Sequence, residues 1–131
     1  MAEKGEESLE ERQENEVEAL KAIYDTDFED LRNKDVWKVR RPPEFLLKMK
    51  PDHDSRGPQQ EMCTVDLHVK CGDKYPMSIP ELDLVSAKGV SQDLIDKLKL
   101  ELKSIAAQMV GEVMIMDIAQ HVSSWLQVIL S

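Results

Sequence analysis

Apolar residues occupy every second position in two runs near the middle of the chain. In residues 45–50 these positions are Phe45, Leu47 and Met49, and residues 62–71 repeat the pattern more clearly. Successive side chains of a strand point to opposite faces, so a period of two predicts strands with one buried face. The residues expected to face the core in the second run are Cys63, Val65, Leu67 and Val69.

Shorter runs add to this group of strands. Residues 28–31 and 36–39 fit short extended segments with a turn at 33–35, and residues 81–86 fit a later strand with Leu82 and Leu84 facing inward. Residues 51–60 contain proline, glycine, serine and aspartate without periodicity, which predicts an exposed, mobile connection.

Helical spacing characterises the start of the chain. From Val17 onward, apolar residues recur three and four positions apart, and a first helix is predicted from about Leu9 to Tyr24. Ser8 followed by Glu11 matches the capping box, in which each side chain accepts a hydrogen bond from the other residue's backbone. The apolar stripe of this helix comprises Val17, Leu20, Ile23 and Tyr24.

Two more helices are predicted after the strands. Ser91 suits an N-cap, and Gly111 suits the C-terminal end of the helix that Ser91 begins. A later stripe predicts the last helix, which Met114 and Met116 would widen. The apolar positions are Leu94, Leu98, Leu102, Ile105 and Met109 in one helix, and Ile115, Ile118, Val122, Trp125, Leu126 and Ile129 in the other.

This order of elements predicts the fold class. Consecutive strands with short connections favour an antiparallel meander, and the helical stripes need an apolar surface to cover. We therefore expect an α+β fold, a two-layer sandwich in which a helix precedes four strands and two helices follow them.

The connection between the last two strands contains Tyr75, Pro76 and Pro80. Each proline fixes its own backbone and restricts the residue before it, so this connection is stiff. The Tyr75 ring can pack inside while its hydroxyl bonds a nearby backbone group. We interpret the segment as a rigid, structural corner, although its spacing alone also fits an ordinary proline-containing loop.

Composition restricts the class of protein. A chain of 131 residues with 41% hydrophobic content suits one domain, which we place at residues 9–131 after a disordered acidic leader at residues 1–8. No apolar run reaches the ~18 residues of a membrane span, and the acidic start lacks the apolar region of a secretory signal. Two cysteines without a C-x-x-C spacing favour a reducing, cytoplasmic setting.

The net charge of −9 is concentrated at the start of the chain. Residues 1–30 hold twelve acidic and three basic residues, whereas the remainder holds fourteen of each. Basic residues cluster locally between Arg32 and Lys50, but no aromatic residues alternate with them as in single-strand binders. We therefore expect no direct nucleic-acid partner and no membrane partner.

The sequence contains no convincing set of catalytic or metal-binding residues. His53 lies between two aspartates in the expected mobile loop, and one flexible triplet does not supply convergent metal ligands. The expectation is a domain with no catalytic residues, no metal and no cofactor.

Three motifs together resemble the RWD domain family. They are residues 18–24 (EALKAIY), Tyr75-Pro76 with Pro80, and residues 111–115 (GEVMI), and the resemblance covers about residues 16–126. It implies a helix, a four-stranded antiparallel meander and two further helices, similar to ubiquitin-conjugating enzymes without their catalytic apparatus. It also implies a non-catalytic protein–protein interaction module.

Within this family, the chain is most similar to the N-terminal domains of the general control nonderepressible-two kinases, which act on translation initiation factor two in amino-acid starvation. The supporting stretches are residues 27–32, 41–44, 87–91 and 119–122. The resemblance implies docking onto a general control nonderepressible-one type activator, a ribosome-associated helical-repeat protein. An RWD module of another translation-linked regulator that binds the same activator is the alternative. The 131 residues contain no kinase motif.

Two further functional classes stay open. A ubiquitin-conjugating enzyme would need an exposed nucleophilic cysteine after Pro80, but no cysteine follows Cys71, and the three histidines fit no hydrolase motif. A structural dimerisation module is the other class, because some relatives of this fold pair through their sheets or helices. The oligomeric state is left open.

We expect a helical-repeat partner to bind the outer faces of the last two helices, because their apolar stripes are committed to the core. The acidic face of the first helix is the rival surface. The candidate contacts on the last helix are Glu112, Asp117, Gln120 and His121, together with Ser124; those on the helix before it are Asp96, Lys99 and Lys103. An alternative role for Glu112 is to cap the last helix.

Overall fold

The structure, a computed structural model, describes residues 8–32, 41–51 and 63–130. Most of the expected leader, the predicted turn at 33–35, the extended segment at 36–39 and nearly all of the predicted loop, including His53, lie outside these residues. Those expectations therefore stay predictions.

Helix α1 spans Leu9–Tyr24, which confirms the predicted bounds. Ser8 Oγ accepts the Glu11 N–H and the Glu11 carboxylate accepts the Ser8 N–H, both at 3.0 Å. The capping box thus satisfies two amides that the first turn leaves without helical partners. Ile23 departs from the predicted stripe, since its side chain is 59% exposed.

Four antiparallel strands follow in a meander, as predicted. They are ordered β1-β2-β3-β4 across the sheet, and a short 3-10 turn at Asp25–Asp27 leads from α1 into the first of them. The strands are β1 (Phe28–Asp30), β2 (Glu44–Met49), β3 (Thr64–Lys70) and β4 (Glu81–Lys88).

One face of the sheet forms the floor of the core. The three alternating apolar side chains of β2 are buried, and so are those of β3 together with Cys63 just before it. On β4, Leu84 is buried and Leu82 is half-buried. β4 continues through Ala87 and Lys88, two residues beyond the predicted strand.

Helix α2 spans Gln92–Gln108, and the Ser91 hydroxyl accepts the Leu94 N–H as the predicted N-cap. The helix ends earlier than predicted: Met109 N–H bonds the Ala106 carbonyl, and Gly111 lies beyond this tight turn. The predicted stripe is also rotated. Leu98 and Leu102 are buried as expected, but the other buried positions are Ile95 and Ala106.

Helix α3 spans Ile115–Leu130 and completes the helical layer. Met114 is buried just before its first residue, while Met116 and Trp125 pack partly buried against the core. In the described segments, three helices and a four-stranded meander therefore enclose one apolar core, which confirms the α+β two-layer sandwich. None of the helices in the described segments has both the length and the hydrophobicity needed to cross a membrane.

Candidate functional site

The corner between β3 and β4 is built on a buried tyrosine. Tyr75 is 1% exposed, and its peptide bond to Pro76 is cis. Pro76 and Pro80 are also buried, whereas Met77 and Ile79 between them are about half exposed. The predicted corner thus presents two apolar side chains to solvent, while its tyrosine and both prolines are buried.

The Tyr75 hydroxyl connects two distant parts of the chain. It donates to Glu16 Oε1 at 2.6 Å and accepts the Met114 N–H at 2.7 Å. The backbone group that it bonds is therefore near in space but 39 residues away in sequence. Burial raises the pKa of Tyr75, and the adjacent Glu16 carboxylate raises it further, so the hydroxyl is a neutral donor rather than a base.

Glu16 places a buried carboxylate at the beginning of α3. Its second oxygen accepts the Ile115 N–H at 2.8 Å, so a side chain of α1 caps another helix. Burial raises the pKa of Glu16, although the hydrogen bonds from Tyr75 and the α3 backbone oppose this effect. Both carboxylate oxygens are engaged in holding elements together.

Two neighbouring residues of α1 also bond the segments around Tyr75 and Gly111. Gln13 is buried, and its side-chain amide donates to the carbonyls of Tyr75 at 2.8 Å and Asp73 at 3.1 Å. Arg12 donates to the Gly111 carbonyl at 2.9 Å, and the Gly111 N–H donates to Pro76 at 2.8 Å. We call the side chains of Arg12, Gln13, Glu16 and Tyr75 the corner junction.

Both cysteines are unsuited to nucleophilic chemistry. Cys63 is 7% exposed and Cys71 is 5% exposed. Burial raises the pKa of the Cys71 thiol to about 12, whereas a reactive thiol requires a lowered pKa. In the part of the chain that the structure describes, no three His, Cys, Asp or Glu side chains cluster as a metal site would require.

The structure places all but one of the partner contacts predicted for the last helix on α3. Asp117 and Gln120 are exposed on α3, and His121 is half-buried there. Glu112, in contrast, was wrongly placed on the last helix: it is exposed in the turn before Ile115, where α3 begins. The carboxylate that meets the first amides of α3 belongs to Glu16, since α1 packs across that end.

Charged side chains link α2 to its surroundings. His121 Nε2 of α3 lies 2.8 Å from Glu101 Oε1 of α2, so the outer faces of the two helices meet at this pair. Lys99 contacts Asp83 of β4 at 3.0 Å. Of the other candidates on α2, Asp96 accepts a bond from Gln92, and Lys103 is exposed.

Sequence reasoning overlooked the corner junction on its α1 side. Gln13 lies four residues before Val17, and Glu16 lies four residues before Leu20, on the same helical stripe. Polar residues on an apolar stripe signal buried hydrogen bonding, and this signal was available in the sequence. Their partners were not, because they lie 59 to 99 residues further along.

The chain matches a known family of domains. The sequence model of the RWD domain family matches residues 11–126. RWD domains are non-catalytic protein-interaction domains, and the kinase activity of relatives that carry one resides in a separate region.

Kinases of translation initiation factor two are among the similar proteins. The eIF-2-alpha kinase GCN2 of Mus musculus and that of Homo sapiens are each 42% identical over 120 residues, or 92% of this chain. The Schizosaccharomyces pombe kinase of the same name is 31% identical over 87% of the chain. The chain spans only about 7% of the length of each of these relatives.

A solved structure shows the same architecture. The solution structure of the RWD domain of mouse GCN2 superimposes with a TM-score of 0.83 at 42% identity, covering 95% of this chain and 89% of that one. Sequence and fold agree with the motifs at the corner and at the start of α3, and the chain belongs to the RWD domain family.

Proposed function

We propose that this domain docks a translation-control kinase onto its ribosome-associated activator, a helical-repeat protein of the general control nonderepressible-one type, in the amino-acid starvation response. The observation that carries this proposal is the 42% identity with the mammalian GCN2 kinases across nearly the whole domain. A cytoplasmic setting follows from a ribosome-associated partner. Kinase activity would belong to sequence outside the domain.

The surface that we assign to the activator is the outer side of α2 and α3, together with the turn before α3. Asp117 and Gln120 are exposed there, and Glu112 extends the acidic character into the turn. Leu100 on α2 and Val128 on α3 are 67% and 73% exposed, so apolar contact area accompanies the charges. Apolar residues with charges around them suit a protein interface.

The acidic face of α1 remains the rival surface. It includes Glu10, Glu14 and Glu18, which the apolar stripe leaves on the outside. Glu14 is unsuitable for a test because it bonds Arg32 at 2.7 Å, and its replacement would disturb the contact between α1 and the end of β1. Glu10 and Glu18 are exposed, and the contact of Glu18 with Lys21 at 3.6 Å is an exposed pair within α1 that contributes little to stability. They therefore provide a matched pair of charge reversals.

The test compares Glu112→Lys/Asp117→Lys with Glu10→Lys/Glu18→Lys in binding to the purified activator. We expect the first pair to weaken binding about tenfold at low ionic strength, because reversed charges slow association and repel basic partner groups. Higher salt should reduce the difference, since it screens exposed charges. The melting temperature should barely change in either variant.

Each outcome bears on a different part of the proposal. Weakening by the α1 pair alone would move the site to α1. Binding that neither pair affects would refute the assigned surface while leaving the partner in place. If the unaltered domain failed to bind the activator at all, the proposed function itself would be wrong.

A further inference from the structure

Among the residues that the structure describes, strand β4 has a neighbouring strand on one side only. It is the last strand in the order β1-β2-β3-β4 and, with eight residues, the longest of the four described strands. An open cleft of about 600 Å³, lined in part by Pro80, Leu82 and Lys103, borders its beginning. Edge strands of this kind offer unpaired backbone groups to other chains, and proteins usually protect them.

The pairing register identifies which backbone groups face the open side. Cys71 N–H bonds the Pro43 carbonyl, so odd-numbered residues of β3 direct their backbone toward β2 and even-numbered ones toward β4. His68 lies opposite Asp83, which therefore directs its backbone toward β3. The N–H and carbonyl groups of Leu82 and Leu84 consequently point outward.

The outward amide of Leu84 is already occupied. Asp83 Oδ1 accepts it at 2.8 Å, and Lys99 Nζ of α2 holds the same oxygen at 3.0 Å. The hydrogen bond from Lys99 also lowers the pKa of Asp83, so the pair favours the charged carboxylate. A strand that paired with this edge would need its own carbonyl oxygen to accept the Leu84 N–H, which already donates to the Asp83 carboxylate.

The geometry also disfavours a second copy of the chain. Ser86 has a φ of +54° and the pairing with β3 is irregular near Thr64, so the regular edge is limited to residues 81–85. Two such edges pairing antiparallel would match Leu82 of one copy with Leu84 of the other. That register places the two Asp83 side chains directly opposite each other, where like charges destabilise pairing.

We propose that Asp83, held by Lys99, closes the β4 edge against strand addition by a second copy of this chain. The carboxylate covers the Leu84 amide and, in the symmetric register, repels its counterpart. The edge is otherwise suited to pairing, with four backbone hydrogen bonds available between two copies through Leu82 and Leu84.

The test compares the self-association of Asp83→Ala with that of the wild type and of Glu81→Ala. Glu81 is an exposed acid on the same strand whose loss changes net charge equally but frees no edge amide. Molar mass is measured by light scattering over a concentration series, and amide hydrogen exchange is followed at Leu82 and Leu84. We expect Asp83→Ala to associate at least about tenfold more tightly than either control. Those two amides should become protected as its concentration rises.

Two results would overturn the proposal. One is an Asp83→Ala variant whose mass follows that of the wild type at every concentration. The other is association that leaves exchange at Leu82 and Leu84 unchanged, which would place the contact elsewhere. Lys99→Ala provides a second test if Asp83→Ala does not fold, because it keeps the Asp83 carboxylate but removes the lysine that holds it. We expect the Leu82 and Leu84 amides of this variant to become protected from exchange at high concentration, although less than in Asp83→Ala. If they were not protected, the assignment would equally be contradicted.

Discussion

At the scale of single residues, Tyr75 and Glu16 join three elements. The tyrosine comes from the corner between β3 and β4, the glutamate from α1, and both reach the first amides of α3. Each polar atom in this buried group has a partner, and the loss of one leaves another without compensation. Such groups are costly to disturb in a core.

Tyr75→Phe should lower the free energy of unfolding by about 1–3 kcal/mol, because it leaves Glu16 Oε1 and the Met114 amide buried without their partner. Tyr75→Ala should cost about 3 kcal/mol or more, since it also removes a fully buried ring. Urea unfolding followed by circular dichroism measures both. A Tyr75→Phe variant as stable as the wild type would show that the hydroxyl is dispensable.

The pKa of Glu16 leads to a prediction about pH. Its folded-state pKa is raised above the ordinary 4.5, so the folded protein holds this proton to a higher pH than the unfolded chain does. The contribution of Glu16 to stability is therefore full below pH 4.5 and is lost as pH rises through the folded pKa. Glu16→Gln cannot ionise and lacks this dependence.

The measurement is urea unfolding of the wild type and Glu16→Gln at several pH values. The stability advantage of the wild type should be largest in the most acidic samples that remain folded and should shrink toward neutral pH. An advantage that grew with pH would mean that the hydrogen bonds outweigh burial and that the folded protein prefers the charged carboxylate.

At the scale of elements, the connection from α2 to α3 depends on its neighbours. α2 ends in a tight turn at Met109, and Gly111 then bonds Pro76 through its N–H and Arg12 through its carbonyl. Gly111 has a φ of +101°, a conformation that residues with a Cβ rarely adopt. The backbone of this turn is thus shaped by contacts with the corner and with α1.

Gly111→Ala should destabilise the domain by about 1–2 kcal/mol, because the positive φ strains any L side chain. A Cβ there would meet no atom within 4 Å, so crowding makes no contribution. Gly72→Ala is the matched control: its Cβ also meets open space and no positive φ applies. Thermal unfolding of both should show a loss only at Gly111. Equal effects would refute backbone strain as the cause.

At the scale of the whole molecule, one core holds the helical layer on the sheet and encloses both thiols. The arrangement belongs to a non-catalytic interaction family, and its outer surfaces are therefore where function is expected. A fold similar to ubiquitin-conjugating enzymes does not by itself supply their chemistry, which depends on an exposed and activated cysteine.

Both thiols should consequently react slowly with a thiol reagent such as dithionitrobenzoate in the native protein and rapidly in denaturant. Activated ubiquitin should form no thioester with the domain. Ser124→Cys, at an exposed position of α3, provides a reactive control in the same fold. Rapid native labelling of Cys63 or Cys71, or a ubiquitin thioester on either, would contradict the buried arrangement.

Local pattern in the sequence was sufficient to predict the elements. Alternation identified β2 and β3, helical spacing with Ser8 and Ser91 located the beginnings of α1 and α2, and the order of elements predicted the meander. These features depend on neighbours within a few residues, whose interactions the sequence displays directly. The motifs around Tyr75 and Gly111 were recognised, and with them the family.

The tertiary structure alone decided how those elements are joined. It placed Glu16 against Ile115, ended α2 before Gly111 and moved Glu112 off α3, and it brought Lys99 to Asp83 at the open edge of β4. Each of these depends on contacts between residues far apart in the chain. Local propensity does not encode such distances, because the free energy of a buried hydrogen bond or an ion pair is available only after the core has brought its partners together.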